Sequence, residues 1–266
     1  MRNKRKSGVI VFMLLLIFIF FSAFFLQHCS LHKKVKPSID FATNFYPAPI
    51  SGEQLISHST IKISYNSKYK QANWVTYKLD SSYAGENKRK NRFYADPYIL
   101  KNAVRPDDYK NSGYDRGHLA PAADFSWSEK AMTESFYMSN MSPQLPGFNR
   151  GIWKKLEEQV REWAKENQEI YIVTAGVLTD NLSSIGVNNK VAVPVYYYKV
   201  ILDMKEPEIK AIGFIIENKS QNKLLKEFAV TIDSVEALTG IDFFPVLEDH
   251  LEKKIESTLE IEKWFN

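Results

Sequence analysis

Hydrophobic positions along the chain fall into three patterns. Residues 8–26 contain no charge and are apolar all round, which is long enough for one membrane-spanning helix. Farther on, short runs rich in β-branched and aromatic residues, bounded by turn formers, predict strands at 61–65, 74–79, 170–178, 191–202 and 209–216. The third pattern is helical. Trp153, Leu156, Val160 and Trp163 recur at the spacing of one buried stripe and predict a helix over 149–167. A second helix begins near Asp233 and is stopped by Gly240. Several strands with a few helices among them indicate an α+β domain, a mainly antiparallel central sheet flanked by helices.

These patterns divide the chain into a basic end and membrane anchor (1–32), a Pro-, Ser- and Gly-punctuated linker (33–58) and a catalytic-sized domain (59–266). The apolar run exceeds the core of a cleavable signal peptide and lacks a good small-residue cleavage site, so an uncleaved anchor is expected. Leu26, Gln27 and His28 before Cys29 do not form a lipoprotein cleavage site. The basic cluster Arg2 to Lys6 favours a cytoplasmic N-terminus and a domain facing outward. The start lacks an Arg- and Ser-rich amphipathic presequence, which favours a bacterial cell envelope over an organelle.

Charge changes the picture little. The net +4 includes seven basic residues before position 37, namely Arg2, Lys4, Arg5, Lys6, Lys33, Lys34 and Lys36, so the remainder carries −3. Any phosphate-binding surface is therefore local, and the basic runs at Lys88 to Arg92 and around Arg105, Lys110, Arg116, Lys154 and Lys155 are its candidates. Cys29 is the single cysteine, which excludes an intramolecular disulfide and a cysteine metal cage.

The densest chemistry is the consecutive set Asp115, Arg116, Gly117 and His118. Phosphodiester hydrolysis needs a base for water, which suits an imidazole titrating near ~6.5, and a cation for the charge that develops on phosphate. Downstream lie Asn140, Asn149, Glu157 and Arg161. At 100° per residue from Asn149, Glu157 falls at about 80° and Arg161 at about 120°, both flanking the buried stripe on one side. Taken singly, each has a plainer reading: a helix cap for Asn149, a turn hydrogen bond for Asn140, and an i,i+4 ion pair for Glu157 with Arg161.

Taken together, the Asp-Arg-Gly-His motif with Leu119, Ala120 and Pro121, the Ser139 to Gln144 segment, and Asn149 followed by Trp153, Leu156, Glu157, Gln159 and Arg161 resemble the DNA/RNA non-specific endonucleases with a ββα-metal site. The resemblance extends over residues 60–247. It implies that His118 is the general base and Asn149 the direct ligand of one Mg2+, with Mn2+ as a substitute. It also implies that Glu157 holds metal-bound water, Asn140 positions the site, and Arg116 and Arg161 meet phosphate. Asp115 is implied as an orienting residue. Arg92 is the best match to the family's upstream phosphate-contacting arginine, with Arg89 as the substitute. The implied partners are DNA and RNA, with room for a homodimer and for an inhibitor protein. Two other classes compete with this reading: a membrane-tethered nucleic-acid-binding module without catalysis, and a phosphoesterase for small molecules or lipids. The acidic balance of the domain disfavours the first, and the missing two-metal carboxylate and histidine cluster disfavours the second.

Overall fold

The computed structural model describes residues 45–83, 85, 87–89 and 91–265, so the apolar run and its expected anchor lie outside the described residues. Among the described residues, no helix is long and apolar enough to cross a membrane.

The centre of the fold is a seven-stranded sheet. It is made by β1 (Gln54–Ser57), β2 (Lys62–Asn66), β3 (Gln71–Asp80), β6 (Glu169–Gly176), β9 (Tyr196–Asp203), β10 (Lys210–Glu217) and β11 (Ala229–Val230), in that order. Each neighbouring pair is antiparallel, as the alternation of the strands suggested. Two short ribbons stand apart from it: β4 (Asp115–His118) with β5 (Met141–Gln144), and β7 (Ser184–Ile185) with β8 (Val191–Ala192). The helices are α1 (Glu129–Ser135), α2 (Lys154–Asn167), α3 (Ile232–Thr239) and α4 (Asp249–Ser257).

Alternation along β10 shows which helix covers which face, because successive strand residues point to opposite sides. Phe214 stacks on Trp163 of α2, with ring centroids 6.0 Å apart. A Cβ on Gly213 would lie 2.9 Å from Val235 of α3. The two helices therefore sandwich the sheet. Leu156 and Val160 of α2 are fully buried, and each contributes about 1.5–3 kcal/mol by leaving water. Thr231 caps α3 by accepting from the Ser234 amide, and Gly240 ends the helix at φ 70°, a left-handed turn that glycine adopts without penalty.

Three boundaries differ from expectation. The expected linker through residue 58 overlaps the domain: Phe45, Tyr46 and Ile50 pack on the core, and Ile56 in β1 is buried against it. Pro47, Pro49 and Gly52 punctuate that stretch and mask the edge strand behind them. The predicted strand 191–202 is two strands, since Pro194 between them has no N–H to donate. The predicted helix 149–167 begins regularly only at Lys154, after a wide turn over Phe148–Trp153 that breaks at Gly151 (φ −102°, ψ −110°). Helix α1, capped by the Ser128 hydroxyl, and helix α4 have too few apolar repeats to be read from the sequence alone.

Candidate active site

The β4–β5 ribbon, the wide turn and α2 form a ββα unit around one cavity of about 390 Å³. Its lining includes Arg89, Arg116, His118, Asn149, Glu157 and Arg161. Those six come from sites far apart in sequence, and the ribbon and helix bring them together.

His118 ends β4, paired with Met141. The residue is 7% exposed, and its ring meets Phe136 edge-on at 4.9 Å and Phe93 at 5.9 Å. Its Nε2 makes no hydrogen bond to the described residues. Burial, and then the nearby Arg89 guanidinium, pull its pKa down to about 3, so the imidazole is neutral at ordinary pH. A neutral imidazole is what a general base requires.

The backbone beyond the histidine is held by Asn140, which is fully buried. Its carboxamide takes both sides of Ala120, accepting from the amide at 2.9 Å and donating to the carbonyl at 2.9 Å, and it also donates to the Ser135 carbonyl at 2.8 Å. The Asn140 carbonyl accepts from Leu119 N at 3.0 Å. From the other side, the Trp153 indole donates to the His118 carbonyl at 3.3 Å, tying the entry of α2 to the end of β4. Gly117 is required for a steric reason, since an added Cβ would lie 2.1 Å from the buried Gln144 side chain.

Asp115 organises the wide turn. Its carboxylate accepts from Asn149 Nδ2 at 2.9 Å and takes Arg150 as a two-pronged partner at 2.8 and 2.7 Å. With its nitrogen committed to Asp115, Asn149 has its amide oxygen left to offer a cation. Arg116 is anchored on the Pro106 carbonyl through Nε at 3.2 Å and a terminal nitrogen at 2.8 Å, and its guanidinium lies over the Phe93 ring.

Arg161 and Glu157 also belong to a charge cluster whose other members, Asp124, Tyr77 and Lys199, no local motif singles out. Arg161 donates to Asp124 at 3.1 Å, and Asp124 also accepts from the Tyr77 hydroxyl at 2.9 Å. Arg161 thus pairs with Asp124 instead of making the simple ion pair with Glu157 that their spacing allowed. Lys199, fully buried on β9, points its Nζ at the Leu119 carbonyl, 3.4 Å away, and over the Trp153 ring. Burial pushes the Glu157 carboxyl up and the Lys199 amine down, and each charge opposes the other's shift. A lysine between Tyr198 and Val200 in an apolar strand was the visible signal for this group.

Arg89 lines the cavity and lies over the Phe136 ring, whereas Arg92 is exposed over Tyr94 and is not among the lining residues. The structure thus brings the substitute arginine to the site and leaves the first choice outside. A larger hollow of about 620 Å³ between β10 and α4 contains none of the candidate residues, and its Lys263 is paired with Glu208 and Glu260.

The family model for DNA/RNA non-specific endonucleases matches residues 40–250. A nuclease of Nostoc sp. is 34% identical over 212 residues, covering 74% of this chain and 76% of the relative. Human mitochondrial endonuclease G is 31% identical over 207 residues, covering 72% of this chain and 70% of the relative. Among solved structures, the crystal structure of an EndoG/EndoGI complex, which concerns EndoG inhibition, superposes with a TM-score of 0.72 at 29% identity. That superposition covers 81% of this chain and 95% of the matched one.

Proposed function

We propose, from the premise that this chain belongs to the DNA/RNA non-specific endonuclease family, that it hydrolyses DNA and RNA internally with His118 as general base and one Mg2+ held by Asn149. The observation that carries this reading is the convergence on one cavity of a buried, neutral imidazole whose Nε2 has no hydrogen-bond partner among the described residues, an asparagine whose amide nitrogen is held by Asp115, and the guanidinium groups of Arg89, Arg116 and Arg161. The donor set fits a hard cation that keeps most of its water, since the oxygens offered are one amide of Asn149 and the carboxylate of Glu157. When bound, magnesium supplies positive charge for the leaving oxygen.

The chain's own residues do the rest. A ring nitrogen of His118 removes a proton from water, whose oxygen attacks phosphorus in line with the departing oxygen. The bond from phosphorus to the 3′ oxygen breaks, leaving a 5′-phosphate and, once that oxygen takes a proton from solvent, a 3′-hydroxyl. Arg89, Arg116 and Arg161 meet the charge on the phosphate oxygens. Asp115 keeps Asn149 turned, and Glu157 would orient water around a bound cation. Contacts of this kind address the backbone of the substrate and are indifferent to base sequence. We propose separately, from the uncharged run 8–26 and the basic cluster before it, that this segment tethers the domain to a membrane with the domain outside the cytoplasm.

The test is cutting of circular single-stranded DNA, supercoiled plasmid and structured RNA by the purified protein, with magnesium and with chelator. Magnesium-dependent cutting of all three, with 5′-phosphate ends, is expected. Cutting that persists in chelator, or a folded protein that binds these substrates without cutting them, contradicts the proposal.

A further inference from the structure

The other face of the sheet carries a carboxylate cluster that the nuclease site does not use. Asp233 and Glu236 lie on one side of α3, spaced i,i+3, and Glu256 reaches them from α4. One oxygen of each lies within 4.8 Å of the others. Surface acids often gather without consequence, but Glu256 is not a surface residue. The residue is 7% exposed, and its Oε1 is buried without a hydrogen-bond partner among the described residues. Glu236 is oriented by accepting the Phe243 amide at 2.9 Å through its Oε1. Asp242 and Glu252 add further negative charge around Glu256. An unpaired carboxylate buried among like charges is costly, and a cation removes that cost for all three at once.

We propose that Asp233, Glu236 and Glu256 form a calcium site that clamps α4 onto α3. The chemistry selects the ion. All the donors are carboxylate oxygens, which are hard ligands, and calcium accepts several protein carboxylates in a flexible shell, whereas magnesium usually keeps most of its water and takes only one or two. Because α3 packs on β10, the clamp fixes the C-terminal helix against the sheet, far in function from the cavity on the opposite face. This inference does not rest on the nuclease reading.

The experiment is thermal unfolding and calcium titration calorimetry of the full-length Asn149→Ala protein, from which the cation ligand proposed at the cavity has been removed. After chelation, calcium at millimolar concentration is expected to raise Tm by several degrees and to bind one ion per chain. Glu256→Gln, and separately the exposed Asp233→Asn, are expected to weaken calcium binding at least tenfold and to lose that Tm shift. Their metal-free Tm should equal or exceed that of the parent, because each variant removes repulsion. Absence of a calcium shift in the parent, or a full shift retained in both variants, overturns the site. An equal shift from magnesium at the same concentration overturns the assignment to calcium.

Discussion

Asn149 donates its side-chain nitrogen to Asp115 across 2.9 Å, and that single bond decides which end of the amide is free. Asp115 is in turn fixed by the two-pronged contact with Arg150. On this account Asn149→Ala removes the cation ligand, and Asp115→Ala leaves the ligand present but unoriented. The magnesium concentration for half-maximal cutting is expected to rise roughly 10–100-fold for Asp115→Ala and by at least as much for Asn149→Ala. Unchanged magnesium titrations in both variants would remove this pair from the metal site.

Asn140 makes three side-chain hydrogen bonds to backbone groups while fully buried. Its replacement by alanine leaves Ala120 and Ser135 with unsatisfied groups in a dry environment and is expected to cost roughly 2–4 kcal/mol of stability. Urea unfolding measures this directly. Because the same bonds hold the chain next to His118, kcat should fall while substrate affinity changes little.

Gly117→Ala places a methyl group 2.1 Å from a Gln144 side chain that is itself fully buried and has no room to yield. Displacement of β4 against β5 is the expected result, with a loss of about 1–3 kcal/mol and a larger proportional loss of activity, since His118 is the next residue. Wild-type cutting by a folded Gly117→Ala protein would show that the ribbon's spacing does not control the base.

Acid titration separates a buried base from an exposed one. His118 sits near about 3 in the fold because of burial and Arg89, against ~6.5 in the unfolded chain. Below pH ~6.5 the unfolded state takes up the proton first, so the stability of the metal-free protein falls as pH drops towards 3. Above ~6.5 this contribution is fully present. The other charged groups lining the cavity are Arg116, Arg150, Lys154, Glu157 and Arg161, and none of the cations among them favours protonation of the ring. The stability gap between wild type and His118→Ala is therefore expected to narrow between pH 7 and pH 4.5, as read from urea midpoints at each pH. A gap of constant size would mean that the ring takes up its proton in the fold as readily as in the unfolded chain.

Legibility of the molecule in its sequence followed the range of the interactions. Strands β3, β6 and β10 were readable because their faces are buried by apolar residues in register, and α3 because Gly240 marks its end. Strand β1 was hidden because an edge strand with exposed Gln54, Leu55 and Ser57 shows no alternation. In the site, His118, Asn149, Glu157 and Arg161 were named from local motifs and meet in the cavity. Asp124, Tyr77 and Lys199 were not named, because their contact depends on β3, β9 and the loop after β4 coming together in space. The choice between Arg89 and Arg92 failed for a similar reason: which arginine enters the cavity depends on the path of an irregular segment, and no periodicity encodes that.

The central claim, that a neutral His118 activates water, is tested most directly by the rate of plasmid nicking by wild type and His118→Ala in saturating magnesium, with both proteins shown to be folded and to bind DNA equally. Loss of a general base is expected to lower the rate roughly 10²–10⁴-fold without changing DNA affinity. Nicking by His118→Ala at the wild-type rate would contradict the account.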